Sequence, residues 1–256
     1  MDNMTIYYSA ATVRGQRESN QDNLRVGNQL SWGECGGELS ALGEIECGSH
    51  QLFCVCDGVG GGYLGELAAM LALEAVEQVA SAPDAAKKTL EQLVTDAART
   101  AHAAVCGYYQ KVGRSGGCTM TLLGLSGGQY ILLNIGDSPC FLIRKGQPLR
   151  ELSVRHNLYW HKRRLQVEPE DHDANLLMRF LGKANCSVTL MADRVSGVLE
   201  PGDQFLLCSD GITNAISEQE LNVQLRGGVT AEALAERAAE VPGADNCTAI
   251  VLQVGT

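Results

Sequence analysis

Apolar runs separated by turn residues divide the first half of the chain into strands and helices. Residues 4–13, 22–26 and 51–56 have the length and the aliphatic and aromatic content that are typical of strands. The apolar spacing then changes to the helical period and predicts helices over 63–80 and 84–111. A proline just before the second helix and a glycine just after it agree with these limits.

The second half of the chain returns to strands before it closes with short helices. The segments CTMTLLGL, YILLNIG and PCFLIRK, joined by SGGQ and RKGQ, predict antiparallel meanders over 118–145. Helices are predicted over 217–227 and 230–241, followed by a strand over 247–254. The glycine-rich stretch 31–49 predicts an exposed loop or a hairpin tip.

The order of these elements predicts an α+β fold in which helices cover the outside of β-sheets. Residues from about 153 to 186 are more polar and partly helical, and we expect them to form a mobile flap. No internal repeat or low-complexity linker interrupts the sequence. We therefore expect a single domain over 1–256.

Carboxylates stand at the ends of several of the predicted strands. Four apolar segments end or begin at an aspartate beside Gly, Ser or Asn, namely LFCVCDG at Asp57, LLNIGDS at Asp137, FLLCSDG at Asp210 and ADNCTAIVLQV at Asp245. Buried carboxylates with few basic neighbours need a compensating charge, and multivalent cations prefer oxygen ligands. In the two DG pairs the glycine also lets the backbone turn, so that a carbonyl can approach the same ion. The pattern predicts a metal-dependent enzyme.

Composition limits the partners and the compartment. The 256-residue chain has a net charge of −10 and a pI near 5.0, which argue against binding to nucleic acid or to an anionic membrane surface. It shows neither a signal-peptide pattern nor an apolar run of about 18 residues, so we expect a cytoplasmic protein. The ten cysteines include no CxxC pair. We expect reduced thiols in the core rather than disulfides or zinc ligands at Cys54, Cys56, Cys118, Cys140, Cys208 and Cys247.

Eight motifs, in this order, resemble those of the metal-dependent serine/threonine protein phosphatases of type 2C (PPM), particularly their compact bacterial members. They span nearly the whole chain and read RESNQDN, CDGVGGG, GGCTMTLL, IGDSPCFL, LSVRHNLY, RFLGK, GDQFLLCSDGIT and ADNCTAIVL. Each motif is weak alone, whereas eight in order are specific. The resemblance implies a four-layer α-β-β-α sandwich with two central, mostly antiparallel sheets.

The resemblance also implies a set of metal ligands. Asp57 would bridge two Mn²⁺ or Mg²⁺ ions, one of them also held by Asp210 and Asp245 and the other by the Gly58 carbonyl. Asp22 would act through coordinated water. Such a pair of ions activates a shared water for attack on phosphorus.

Two further residues complete the implied site. Asp137 matches an aspartate that in bacterial relatives helps the Asp210 position hold a third, weaker ion. Arg17 matches the arginine that grips the substrate phosphate, for which its planar fork is suited. Each has a simpler alternative, which is a turn aspartate for Asp137 and a surface ion pair for Arg17. Thr119 and Asn246 lie beside the centre as supporting residues.

The chain departs from the family pattern where a proton donor is expected. Bacterial relatives commonly read DGMGGH, whereas Gly62 stands here in place of the histidine, and Val59 stands where other relatives carry a histidine directly after DG. Tyr63 and His161 are conceivable substitutes. In the LTxDH segment, Arg155 replaces the usual acidic residue.

The expected activity is hydrolysis of phosphoserine and phosphothreonine in a protein substrate. We expect the enzyme to reverse phosphorylation by a cognate serine/threonine kinase and to be a monomer. The basic residues His161 to Arg164 either attract an acidic substrate to the flap or form an ordinary exposed helical face. The alternative function is a pseudophosphatase that binds phosphoproteins without efficient turnover. A calcium-stabilised structural domain is disfavoured because DxDxDG spacing is absent.

Overall fold

Two antiparallel β-sheets form the frame of the molecule. The computed structural model describes residues 4–28, 30–31, 36–46, 49–59, 64–183, 187 and 191–255. The strands are β1 (Thr5–Val13), β2 (Asp22–Val26), β3 (Leu30–Ser31), β4 (Leu39–Glu46), β5 (Gln51–Val59), β6 (Gly117–Cys118), β7 (Met120–Ser126), β8 (Gln129–Ile135), β9 (Cys140–Ile143), β10 (Arg150–Glu151), β11 (Asp193–Val198), β12 (Gln204–Cys208) and β13 (Cys247–Val254).

Strands that follow one another in the sequence do not always lie in the same sheet. In the first sheet the order is β10-β9-β12-β13-β1-β4, and in the second it is β11-β8-β7-β5-β2-β3, with β6 paired to β5. The pairs described between these strands are antiparallel. The turn after β8 therefore passes from the second sheet to the first.

Helices cover the outer faces of both sheets. The helices are α1 (Gly65–Ala80), α2 (Leu90–Val112), α3 (Leu158–Arg164), α4 (Asp210–Ala215), α5 (Glu218–Arg226) and α6 (Ala231–Ala239), with short 3-10 turns at Ala85–Lys87 and Asp171–Asn175. Helices α1 and α2 pack on the second sheet, and α4 to α6 pack on the first. A further core cluster lies between the two sheets. The predicted four-layer α-β-β-α sandwich is therefore confirmed.

Side-chain alternation along β5 shows how the layers arise. Leu52 and Cys54 face α1 and α2, whereas Phe53 and Val55 belong to the core between the sheets. Because successive side chains of a strand point to opposite faces, a continuous apolar run fits a strand that is buried on both sides. The same alternation puts Asp57 on the inter-sheet face of β5.

Three predicted elements differ from the structure. Residues 39–46, predicted as part of an exposed loop or a hairpin tip, form the edge strand β4, in which partly buried and exposed positions alternate. The second long helix begins at Leu90 rather than near 84, because Thr89 and Gln92 form a capping box that fixes its start. The segment PCFLIRK does not extend the β7–β8 hairpin, since β9 pairs with β12 and β10 of the other sheet.

The cysteines named from the sequence lie inside the protein. The six thiols named from the sequence are free and buried. The sulfur atoms of Cys54 and Cys56 lie 3.7 Å apart, well beyond a disulfide bond. Among the described helices, none combines the length and the apolar content needed to cross a bilayer.

Two glycines allow backbone segments to approach closely where the predicted ligands lie. A Cβ on Gly58 would stand 2.3 Å from the carbonyl carbon of Gly65, at the start of α1. A Cβ on Gly211 would stand 2.1 Å from the carbonyl oxygen of Asn246. Any larger residue would push apart the segments that carry the aspartates.

We predict that Gly58→Ala and Gly211→Ala each lower the free energy of unfolding by about 3 kcal/mol or more, because the contacts are with backbone that cannot move aside cheaply. Gly107→Ala is the matched control, since nothing lies within 4 Å of its added methyl and the position is inside α2. The control should be neutral or stabilising by about 1 kcal/mol. Urea denaturation measures all three, and equal effects would contradict the packing argument.

Candidate metal centre

Asp22 and Asp57 stand directly opposite each other on adjacent strands. Asp22 begins β2 and Asp57 lies near the end of β5, and the two are register partners in the antiparallel pair. Their side chains therefore share the inter-sheet face. Like charges opposite each other across a pair of strands repel, so this arrangement destabilises the fold unless something else compensates.

The other three predicted aspartates reach the same place from different elements. Asp137 lies in the turn that crosses between the sheets after β8. Asp210 is the first residue of α4 directly after β12, and Asp245 lies just before β13, which is the strand paired with β12. A cavity of about 590 Å³ is lined by these three residues together with Asp57. The structure thus brings together carboxylates that are far apart in sequence.

Asp22 is buried with only part of its hydrogen-bonding capacity used. The Ser209 hydroxyl donates to Asp22 Oδ2 at 2.7 Å, whereas Asp22 Oδ1 is buried and accepts no hydrogen bond from the described residues. Burial raises the pKa of Asp22 to about 7, with smaller contributions from the charges of Asp210 and Asp245. The free oxygen gives this carboxylate a vacant acceptor position inside the protein.

Asp57 is the member of the group that interacts with all the others. Burial raises its pKa well above the usual range, and the charges of Asp22, Asp210, Asp137 and Asp245 raise it further. Its backbone is fixed on both sides, because Asp57 N–H donates to Thr119 Oγ1 at 2.9 Å and Thr119 N–H donates to the Asp57 carbonyl at 2.7 Å. The supporting role predicted for Thr119 is visible in these two bonds.

The pKa values of Asp137 and Asp210 are also raised by burial and by nearby negative charges. Burial is the largest cause in both cases, and it raises the pKa of Asp137 to about 7 with help from the charge of Asp210. The pKa of Asp210 is also raised, first by burial and then by the charge of Asp245. The Asn157 side-chain amide donates to Asp137 Oδ2 at 3.1 Å and partly offsets the effect of burial.

This set of donors fits hard divalent cations. Within the ranges that the structure describes, no group of three or more aspartate, glutamate, histidine or cysteine side chains is positioned to hold a metal ion. Mg²⁺ does not require three protein side chains, since it keeps several waters and is commonly held through one or two carboxylates. The unpartnered Asp22 oxygen and the mutual repulsion of the carboxylates are the features that an added cation would relieve.

Arg17 contacts the acidic group directly. Its Nη2 donates to Asp245 Oδ2 at 2.6 Å, and its side chain is 58% exposed. Both residues line a second cavity of about 520 Å³ together with Asp57 and Gly58. The surface ion pair that the sequence left open as an alternative is therefore present, and it lies beside the residues predicted to hold metal.

Two polar residues support the site, and only one of them was predicted from the sequence. Asn246, predicted as a supporting residue, donates to the carbonyls of Arg14 and Ser19 and accepts from Gln21 N–H, so it holds the loop that carries Arg17. Ser209 was not identified at all. Its hydrogen bond to Asp22 joins segments that are far apart in the sequence, so no local pattern indicated it.

Residues of the predicted flap also line the 590 Å³ cavity. Leu176, Leu177 and Phe180 add apolar surface to a lining that includes the carboxylates. As far as the lining is described, it does not include His161, one of the two suggested proton donors. Gly62 and Tyr63 lie outside the described residues.

Comparison with known proteins identifies the family. The protein phosphatase 2C family profile matches residues 44–241. The serine/threonine phosphatase stp of Listeria monocytogenes is 27% identical over 219 residues, covering 80% of this chain and 85% of the relative. The serine/threonine protein phosphatase PstP of Mycobacterium tuberculosis is 28% identical over 213 residues. That match covers 80% of this chain but only 40% of PstP, so the chain spans less than half of that relative.

Solved structures agree with the fold. The catalytic domain of PstP in complex with two manganese ions superposes with a TM-score of 0.77 at 23% identity, covering 99% of this chain and 100% of that one. The PPM phosphatase MsPP from Mycobacterium smegmatis, in complex with cacodylate, gives 0.74 at 25% identity and covers 97% and 98% of the two chains. The resemblance predicted from the eight motifs is confirmed. The chain belongs to the protein phosphatase 2C family.

Proposed function

We propose that this chain hydrolyses phosphoserine and phosphothreonine in protein substrates, using water activated at a dinuclear Mn²⁺ or Mg²⁺ centre. The observation that supports this most directly is the meeting of Asp22, Asp57, Asp137, Asp210 and Asp245, with raised pKa values for the first four. Family membership and the names of the relatives support the same activity. No specific observation favours the alternative of a phosphoprotein-binding pseudophosphatase.

The proposed ligands follow from the positions of the residues. Asp57, Asp210, Asp245 and the Gly58 carbonyl would hold the ions, and Asp22 would contact them through water. Asp57 has the central position in this group, because the charges of the four other aspartates all raise its pKa. When bound, two such ions lower the pKa of a shared water and stabilise the entering and leaving oxygens at phosphorus. The third ion predicted near Asp137 stays a prediction.

Arg17 is proposed to orient the substrate phosphate. Its guanidinium already lies among the cavity residues, and its exposure leaves it free to exchange a carboxylate partner for a phosphoryl group. Both partners accept two parallel N–H bonds from the same planar fork. A substrate would therefore release Asp245 from Arg17 as it binds.

The substrate approaches through the cavity between the carboxylates and the flap. We propose that residues 153–186 act as a flap within a single domain over 1–256.

In α3 of this flap, Lys162 is paired with Asp173, and Arg163 stacks near Tyr159 and Trp160. These contacts occupy part of the basic cluster and support the interpretation of an ordinary helical face for those two residues. We also propose that the protein acts as a monomer in the cytoplasm and reverses phosphorylation by a serine/threonine kinase.

We predict that Asp57→Asn abolishes turnover of p-nitrophenyl phosphate and of a phosphothreonine peptide in Mn²⁺. The same change should raise the free energy of unfolding of the metal-free protein at pH 7.5 by at least about 1 kcal/mol, because it removes a desolvated carboxylate that its neighbours repel. Steady-state kinetics and urea denaturation in EDTA are the measurements. Wild-type turnover no higher than that of Asp57→Asn would refute the proposed activity, and a less stable metal-free variant would contradict the electrostatic argument.

We predict that Arg17→Ala raises KM for phosphopeptides roughly 10- to 100-fold, since hydrogen bonds to charged groups contribute about 1.5–3 kcal/mol. Affinity for Mn²⁺ should be unchanged or higher, because the variant frees the Asp245 carboxylate. Kinetics and calorimetric Mn²⁺ titration separate the two effects. Arg226→Ala, on the surface of α5, is the control and should change neither value. A parallel loss of Mn²⁺ affinity in Arg17→Ala would show that Arg17 supports the metal site instead.

We predict that the metal-free protein becomes less stable as the pH rises from about 4 to 7. The folded-state pKa values of Asp22 and Asp137 are about 7, against 3.8 for the free side chain, so the folded chain binds more protons than the unfolded chain in this window. This contribution is complete below pH 4 and is lost as the pH rises through 7. Saturating Mn²⁺ should reverse the trend, since it binds the ionised carboxylates of the folded state.

Urea denaturation at pH 5 and 7.5, with EDTA or with Mn²⁺, measures this dependence. Asp22→Asn provides the matched comparison, because it removes one of the two carboxylates and should reduce the decline in EDTA. A decline that is the same in the variant and the wild type would show that the pH dependence arises elsewhere in the chain.

A further inference from the structure

A third cavity, of about 190 Å³, adjoins the 590 Å³ cavity that contains the carboxylates. The two cavities share Ser115, Gly116 and Phe180 in their linings, so they meet along one ridge of the protein surface. The volume of the third cavity is below the range of about 300–1,000 Å³ that is usual for small-molecule sites. The cavity therefore has room for one side chain of a larger ligand rather than for a separate cofactor.

Backbone contacts hold the ridge between the two cavities. Cys118 N–H donates to the Leu181 carbonyl at 3.2 Å, and Leu181 N–H donates back to the Cys118 carbonyl at 2.8 Å. Gly116 and Gly182 lie close to this pair, and a Cβ on Gly182 would stand 2.6 Å from the Gly116 carbonyl oxygen. Because Gly116 lines both cavities and has no side chain, the passage from one cavity to the other is open at this residue.

The charge of the third cavity differs from that of the cavities around the metal centre. Among the described residues that line it, Arg114 and Lys183 are cationic and none is an aspartate or a glutamate. The cavities of 590 and 520 Å³ are both lined by Asp57 and Asp245. In a chain with a net charge of −10, a cationic lining is a local exception. The third cavity therefore attracts an anionic group at a place where the neighbouring surface is acidic.

The two cations belong to different parts of the fold. Arg114 directly follows the glycine that ends α2, and its N–H donates to the Tyr109 carbonyl at 3.1 Å. Lys183 lies in the segment proposed as the flap, and its Nζ donates to the Met178 carbonyl at 3.1 Å. This carbonyl is neutral, so it orients the ammonium group without cancelling its charge. Both residues are exposed, so an anionic group that enters the cavity can reach them.

We propose that Arg114 and Lys183 form a subsite for a carboxylate side chain of the substrate, so that the preferred substrates carry an aspartate or glutamate near the phosphorylated residue. The inference rests on the proposed phosphatase function and names its substrate class. The phosphorylated residue enters the 590 Å³ cavity, and the nearby acidic residue reaches the third cavity across the ridge at Gly116 and Phe180. Exposed ion pairs contribute modestly, so the subsite selects among substrates without being required for turnover.

Steady-state kinetics of the full chain in Mn²⁺ measure this preference. The probes are phosphothreonine peptides of one sequence, in which one position at a time, on either side of the phosphothreonine, carries Glu, Gln or Lys. At one or more positions, kcat/KM should be roughly 3- to 10-fold higher for Glu than for Gln, through KM rather than kcat, because the ion pair is present before and during the reaction. Added NaCl should reduce this ratio, since salt screens exposed charges.

Arg114→Glu and Lys183→Glu reverse the two charges one at a time. Each variant should lower the ratio of kcat/KM for Glu over Gln to about one or below at the same peptide position, and the double variant should prefer Lys there. Arg99→Glu is the matched control, because it makes the same charge change on the exposed surface of α2, outside the described lining of the cavity. The control should keep the wild-type ratio. Circular dichroism confirms folding, and two single variants are used so that misfolding of one still leaves a test.

Each outcome either supports or overturns the inference. Turnover of the peptides by the wild type with no preference for Glu at any position would overturn it and leave the proposed phosphatase activity intact. A preference that both single variants retain, or that Arg99→Glu also removes, would overturn it in the same way. No turnover of any peptide would refute the proposed function, and the substrate preference with it. The expected result is a preference for Glu that both cavity variants lose and the control keeps.

Discussion

The repulsion between buried carboxylates is the constraint on which the arrangement of the site depends. Asp22 and Asp57 oppose each other across two strands, and Asp210, Asp245 and Asp137 come close from other elements. Without a cation, this arrangement raises pKa values and destabilises the folded chain. A divalent ion bound at these carboxylates would relieve this repulsion. Part of its binding energy would then come from the electrostatic destabilisation of the metal-free chain.

The two sheets are what make this arrangement rigid enough to persist. Strand β5 places Asp57 on the inter-sheet face, and glycines at 58 and 211 let neighbouring backbone pack closely around the site. Hydroxyl and amide groups of Ser209, Thr119 and Asn246 then tie the surrounding segments together. Catalytic geometry and stability thus compete at the same residues, and apolar packing of four layers supplies the stability that the site itself lacks.

The sequence predicted those features that depend on local pattern. The buried strands, the long helices and the aspartates at strand ends follow from alternation and turn residues, which are encoded within a few positions. Strand β4 was missed because Leu42 on its exposed face interrupts the alternation and glycines surround it. The change of sheet after β8 was also missed, since nothing local distinguishes a crossover from a hairpin.

Contacts between distant segments could not be predicted from the sequence, because no local pattern encodes them. Ser209 bonds to Asp22 across 187 positions, and Arg17 pairs with Asp245 across 228. The resemblance supplied the ligand set as a hypothesis, and the structure added the bonds that orient it. Arg155 was recognised from the sequence only as a departure, and its ion pair with Glu218 is visible only in the fold.

Anomalous diffraction from crystals grown with Mn²⁺ tests the central claim most directly, because it locates the ions independently of activity. The account predicts two manganese peaks, each within about 2.0–2.6 Å of an Asp57 carboxylate oxygen, with Asp210 and Asp245 completing one of them. Manganese peaks that are absent, or that lie away from Asp57, would contradict it.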